Sequence, residues 1–225
     1  MSAVFVTATG TGVGKTFVCT GLIHQLQASG RNVDAIKPIV SGFAPDDWQG
    51  TDPAELAAAL GRTPSANEIE RIAPWRFAAP LSPDMAARRE GRAIAFHEVV
   101  EFCRRAMAAA RDLLLIEGIG GIMVPLDDRH TVLDLMSVLR IPIVLVAGSY
   151  VGTISHTLTA LEVLARRNLD IAAVAISENE GSAASLADTV AAVAGFASSI
   201  DVVGIPRLPA NAVEHPAFAR LAALL

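Results

Sequence analysis

Apolar residues fall along this chain in short unbroken blocks, separated by longer stretches with helical spacing. The blocks at 4–8, 33–36, 113–116, 143–146, 171–176 and 202–205 are too short for helices and read as strands buried on both faces. The spacing predicts helices over 17–28, 83–89, 96–111, 153–167, 185–193 and 218–224. Another helix starts at Asp52-Pro53, with Asp52 at the cap and Pro53 in the first turn, and Ser82-Pro83 leads the helix over 83–89. Gly30 and Gly91 mark helix ends, 37–51 reads as a loop, and prolines break regular structure around 74–83. Strands alternating with helices predict an α/β fold, a mainly parallel sheet flanked by helices, in a single domain over 1–225. Ligands of such sheets bind beyond the carboxyl ends of the strands. That rule selects the polar residues after Ala8 and those at 37–41, 117–121 and 148–156.

The first of these is the richest in chemistry. Phe5 to Ala8 runs into Thr9-Gly-Thr-Gly-Val-Gly-Lys-Thr16 and then into an apolar helix pattern. A strand, alternate glycines, Gly-Lys-Thr and a helix make a P-loop NTPase-like phosphate-binding loop. Backbone N–H groups at Gly12, Val13 and Gly14 turn inward on phosphate oxygens, and the helix dipole favours the anion. Lys15 reaches the β- and γ-phosphates and the Thr16 hydroxyl takes Mg²⁺. The usual loop has glycine where this chain has Thr9, so the match is a variant. The ligand class is a nucleoside triphosphate with Mg²⁺.

The other strand ends carry weaker signals, each with an ordinary alternative. Lys37, in Lys37-Pro-Ile-Val-Ser-Gly42, stands at the same sheet end as Lys15 and suits an anionic substrate; a solvated strand-end lysine is the alternative. Glu117 follows an apolar strand and precedes Gly118, Gly120 and Gly121, which suits a Mg²⁺ ligand beside a phosphate loop. The alternative is an exposed strand-end acid. Asp52 is a helix cap that becomes a metal ligand only alongside Thr16 and Glu117. The helix start at Gly148-Ser-Tyr-Val-Gly-Thr-Ile-Ser-His156 could hold a carboxylate on free N–H groups, or could be capped by Thr153. His24, His97, His130 and His215 show no metal spacing, and Trp48 and Trp75 read as packing residues.

Composition narrows the partners. Of the 225 residues 52% are apolar and 18% charged, enough for a sizeable core. A formal net charge of −5 without a basic run argues against a nucleic-acid partner. Cys19 and Cys103 lie far apart in helical patterns and read as buried thiols of a reducing compartment. No apolar run is long enough to span a membrane and no signal-peptide pattern precedes the first strand, so the expected location is cytoplasmic, with no membrane partner.

Taken together, these segments resemble the dethiobiotin synthetase family almost end to end. The resemblance rests on the Thr9–Thr16 loop, Lys37-Pro38, Ser41-Gly42, Asp52, Phe77-Ala-Ala-Pro-Leu-Ser-Pro83 and Glu117-Gly-Ile-Gly-Gly121. It continues through Ile143-Val-Leu-Val-Ala-Gly148, Gly152-Thr-Ile-Ser-His156, Gly204-Ile-Pro206 and the C-terminal leucines. It implies a homodimeric ligase that converts 7,8-diaminononanoate, CO₂ or bicarbonate, and ATP to dethiobiotin, ADP and phosphate. It implies Lys37, Lys15 and Ser41 in catalysis, and Mg²⁺ on Thr16, Asp52 and Glu117. The implied nucleotide contacts are Gly12 to Phe17, Asp52, Glu117, Gly118, Ile119 and Gly120, with the base near Ser177, Pro206, Arg207 and Leu208. The implied substrate contacts are Thr11, Lys37, Ser41 and Gly121, with Val151, Gly152, Thr153 and Ser155 supplied by the other subunit.

The chain departs from the family pattern at four places. Ala8 stands where glycine is frequent, and a negative φ is expected there. Gly12 stands where some members have glutamate. Ser155 replaces an asparagine at the helix start, and Ser177, or a displaced Asn179, replaces the asparagine at the adenine edge. The main rival is a nucleotide-switched dimer of the chromosome-partition or septum-placement type. Those proteins carry a second lysine in the loop where this chain has Gly10.

Overall fold

The computed structural model describes residues 3–44, 47–197, 199–209 and 214–225. Of the loop expected over 37–51, residues 45–46 lie outside the described set. In chain order the elements are β1 (Ala3–Ala8), α1 (Lys15–Ala28), β2 (Val33–Ile36), β3 (Ile39–Ser41), α2 (Asp52–Ala59) and α3 (Ala66–Ile72). Next come β4 (Trp75–Phe77), α4 (Pro83–Arg89), α5 (Phe96–Ala109), β5 (Leu113–Glu117) and α6 (Val132–Leu139). The series ends with β6 (Ile143–Gly148), α7 (Thr153–Arg166), β7 (Ile171–Ser177), α8 (Leu186–Phe196), β8 (Val202–Ile205) and α9 (Pro216–Ala222).

Six strands form one parallel sheet in the order β2-β5-β1-β6-β7-β8. Successive residues of β1 serve opposite faces. Ala3 and Phe5 join the core beneath α4 to α8, whereas Val4 and Val6 join the core shared with α1, α2 and α9. Both faces are therefore dry, which is why the strands read as unbroken apolar blocks.

The order of strands reverses around β1, so the ends of β2, β5 and β1 lie side by side. Ile36 pairs with Ile116, and Val6 pairs with Glu117. Lys37, one residue past β2, is thereby brought level with Glu117, and both stand beside the strand that feeds the phosphate loop. This is the crevice at a switch point where ligands of open α/β sheets bind.

Several elements differ from expectation. The stretch after Lys37 is not all loop: β2 ends at Ile36 and a second strand begins at Ile39, directly after Lys37-Pro38. This β3 pairs in parallel with β4, within the region expected to lack regular structure. Helices α3 and α6 were unforeseen, although each has a capping signal: Ser65 accepts from the Glu68 N–H, and Thr131 and Asp134 form a reciprocal box. The N-cap of α2 is Thr51, so Asp52 is the first helical residue and not the cap. Helix α5 ends at Ala109 and α9 begins at Pro216, small shifts typical of helix ends. Ala8 is not among the described non-glycine residues with positive φ, which are Arg140 and Asn168. Its backbone needs no glycine.

Candidate active site

The loop between β1 and α1 is held by its glycines and by Lys15. Gly14 has φ 94°, in the left-handed region, and caps α1 without a side-chain bond. A Cβ there would also lie 2.7 Å from Ser177 Oγ, so this position accepts glycine for two reasons. Lys15 folds back and donates to the Gly10 carbonyl at 3.2 Å. Its side chain stays buried, and burial, aided by the nearby Lys37 charge, lowers its pKa to about 8.

Lys37 is also buried, at 4% exposure, and is not a solvated strand-end lysine. Its ammonium donates to Glu117 Oε1 at 2.6 Å and to the Asp52 carboxylate. Burial opposes its charge, but the two carboxylates outweigh burial and hold its pKa above the usual lysine range. Glu117 is 1% exposed, not the ordinary exposed acid it could have been. The Thr16 hydroxyl donates to the same Oε1 at 2.8 Å. Glu117 Oε2 is buried and has no protein partner. At Asp52, burial raises the pKa and Lys37 lowers it further than burial raises it, so the carboxyl lies below its usual range. Asp52 thus spends its oxygen on Lys37 and not on capping its own helix.

A cleft of about 610 Å³ opens over Lys15, Thr16, Lys37 and Asp52, while the buried Glu117 is not among the residues that line it. Thr11, Gly12, Gly14 to Phe17, Lys37, Ser41, Asp52, Ile119 and Gly120 all line it, as the sequence anticipates. Pro80 to Pro83 and Val124 line it too and were not among the expected site residues. The Ser82-Pro83 helix start was legible, but not that β3–β4 pairing carries it to the cleft. A second recess of about 210 Å³ shares Gly12, Gly14 and Phe17 with the cleft and adds Val13, Ser177, Arg207 and Leu208. Glu178 and Asn179 line it as well. Pro206 comes just after β8 and leads into Arg207.

Six expected contact residues sit elsewhere. Gly118 packs under the Phe5 ring, and Gly121 borders a separate cleft with Thr9 to Thr11 and His156. Val151, Gly152, Thr153 and Ser155, at the start of α7, line neither the 610 Å³ cleft nor the recess. Val151 is 81% exposed, while the buried Thr153 hydroxyl donates to the Gly148 carbonyl at 2.7 Å. Gly152 is the N-cap of α7, so Thr153 is not.

Comparison with known proteins places this arrangement. A family model described as an AAA domain matches residues 2–213. The ATP-dependent dethiobiotin synthetase BioD of Caulobacter sp. (strain K31) is 49% identical over 208 residues, 92% of this chain and 89% of the relative. That of Acidiphilium cryptum (strain JF-5) is 47% identical over 181 residues, 80% of this chain and 81% of the relative. The chain belongs to the dethiobiotin synthetase family. It is accordingly an enzyme of the cyclo-ligase type. Structural neighbours agree on the fold alone. The cell division ATPase MinD of Pyrococcus furiosus superposes with TM-score 0.59 at 16% identity, covering 100% of this chain and 98% of the other. The hydrogenase maturation factor HypB of Archaeoglobus fulgidus gives TM-score 0.54 at 13% identity, covering 99% and 90%. The chain thus has the P-loop NTPase fold. Among the described residues no helix is long and apolar enough to cross a membrane.

Proposed function

We propose that this chain converts 7,8-diaminononanoate, CO₂ (or bicarbonate as its source) and ATP to dethiobiotin, ADP and phosphate. Residues 1–225 act as one catalytic domain, two copies form the working dimer, and the enzyme is cytoplasmic. The observation that carries the reading is Lys37. A second buried lysine, held by two carboxylates on the floor of a phosphate-loop cleft, suits the transfer of a phosphoryl group onto an anion. It rests on the relatives' printed names for the choice of substrate.

The steps follow from charge. One amine of the substrate attacks CO₂ and loses a proton, giving a carbamate. A carbamate oxygen then attacks the γ-phosphorus and ADP leaves, giving a carbamic–phosphoric anhydride. The second amine attacks the carbonyl carbon, expels phosphate and closes the cyclic urea. Phosphoryl transfer needs positioning and neutralisation more than covalent help. Lys15 neutralises the β- and γ-phosphates, and Lys37 stabilises the carbamate and the transferring group. Ser41 hydrogen-bonds the carbamate. The α7 start of the partner subunit holds the substrate carboxylate, which accounts for its distance from the cleft in one protomer.

The residues present fit Mg²⁺. Thr16, Asp52 and Glu117 supply hard oxygen donors, and the unpartnered Glu117 Oε2 is a ready acceptor for a metal or its water. When bound, the ion neutralises phosphate charge and orients the γ-phosphate.

Phosphate release with ATP, Mg²⁺ and bicarbonate, measured with and without the diamine, tests the proposal. Diamine-dependent release matched by a cyclic urea is expected. Slow release indifferent to the diamine in folded protein would instead favour the switch reading, which the absence of a lysine at Gly10 disfavours.

A further inference from the structure

The two ends of the substrate are served by different parts of the molecule, and this separation carries an inference that rests on the reaction proposed above. Lys15, Thr16, Lys37, Ser41 and Asp52 line one cleft in a single protomer. The start of α7, assigned to the substrate carboxylate, lines neither that cleft nor the recess beside it. The groups assigned to phosphoryl transfer are thus gathered apart from those assigned to the tail.

The protein itself fixes these groups. Lys37 is buried, and its ammonium is held by Asp52 and, at 2.6 Å, by Glu117 Oε1. The same oxygen accepts from the Thr16 hydroxyl at 2.8 Å, and Lys15 donates to the Gly10 carbonyl at 3.2 Å. Ser41 is set by the β3–β4 ladder, opposite Phe77. Each of these contacts is made within the protein, so the charges that neutralise a moving phosphoryl group do not depend on the diamine for their placement. What the aliphatic tail adds is binding energy, gathered along Leu81, Ile119 and Val124 of the cleft wall. Removing such a remote part lowers the rate but leaves the reacting groups in place.

The smallest molecule that keeps the reacting atoms is unsubstituted carbamate, and its phosphorylated form is carbamoyl phosphate. This has the same O–P bond as the anhydride proposed above and no second amine to close a ring. Phosphoryl transfer runs in both directions through one transition state. A site that moves the group from ATP to a carbamate oxygen therefore also moves it from that oxygen to ADP. We propose that this chain has a second activity, the synthesis of ATP from carbamoyl phosphate and ADP. A β-phosphate oxygen of ADP attacks the phosphorus, the bond to the carbamate oxygen breaks, and carbamate leaves with the electron pair. Carbamate then takes up a proton and falls apart to CO₂ and ammonia. Lys15 and Lys37 neutralise the transferring group, as they do in the forward direction.

The test supplies the full chain with ADP, Mg²⁺ and carbamoyl phosphate and reads ATP with luciferase. ATP should form at least about tenfold faster than without protein. Lys37→Gln, purified in the same way, should lose at least about 10²-fold of that rate while still binding ADP by calorimetry. If that variant does not bind ADP, Ser41→Ala takes its place, with an expected loss of about tenfold. ATP at the protein-free rate, or at equal rates from the parent and the ADP-binding variant, would overturn the proposal. Diamine-dependent phosphate release and cyclic urea without ATP from carbamoyl phosphate would overturn it and leave the assigned reaction standing. ATP from carbamoyl phosphate without any response to the diamine would support it and overturn the assigned substrate.

Discussion

At the scale of single residues, the site is a set of buried charges that hold one another in place. Glu117 and Lys37 are both almost wholly enclosed, and each is tolerable only because the other is there. Removing one partner of such a pair strands the other, at a cost of about 3 kcal/mol. Lys37→Gln should therefore lower the urea midpoint of the nucleotide-free protein, and Lys37→Gln/Glu117→Gln should recover much of the loss. Equal midpoints for parent and single variant would contradict the buried pair. The same substitution should lower turnover at least about 10²-fold, with nucleotide affinity nearly intact. Lys15 behaves differently. Its folded pKa of about 8 lies below the ordinary 10.5, so the folded protein holds fewer protons than the unfolded chain between those values. The penalty of charging it is fully present below pH 8 and disappears as pH rises through 10.5, so its effect is a gain in nucleotide-free stability over that window. A bound phosphate restores the charge. Nucleotide binding at pH 9 should thus take up a proton, visible as a dependence of calorimetric heat on the buffer's ionisation enthalpy; no such dependence would remove the Lys15 shift. None of this burial is legible from residue type. In sequence, Lys37 and Glu117 are two strand-end charges 80 positions apart. What encloses them is strand register, which a single sequence does not display. Asp52 was legible as a helix-start acid, and the structure turns its carboxylate to Lys37.

At the scale of elements, the phosphate loop is set by the junction of β1 and α1. Gly14 has both a left-handed backbone and a close neighbour in Ser177. Gly14→Ala should weaken ADP binding about five- to thirtyfold, because restoring the left-handed backbone on binding costs about 1–2 kcal/mol. Calorimetry that finds parental affinity would show that the loop reshapes freely. The six long-sheet strands were readable because both their faces are largely dry and their residues mostly apolar. The two strands β3 and β4 were not, since three residues each carry no period and both lie beside prolines. Helices α3 and α6 escaped the reading although Ser65-x-x-Glu68 and Thr131-x-x-Asp134 announce their first turns.

At the scale of the whole molecule, the strand order gathers Lys15, Lys37, Asp52 and Glu117 at one sheet end but leaves the α7 start outside their cleft. The shared dimeric site proposed above would answer that separation and can be tested by mixing. Ser155→Asp places a carboxylate where the substrate's own should bind, and Lys37→Gln disables the other half. If each site is shared, refolding the two inactive variants together should restore up to about a quarter of parental activity, since half the dimers carry one intact site. Mixtures as inactive as their parts would contradict the shared site. The measurement that bears most directly on the central claim is simpler. With ATP, Mg²⁺ and bicarbonate, 7,8-diaminononanoate should stimulate phosphate release by the parent enzyme, with one cyclic urea formed per phosphate. Release at an unchanged slow rate, with no urea, would contradict it.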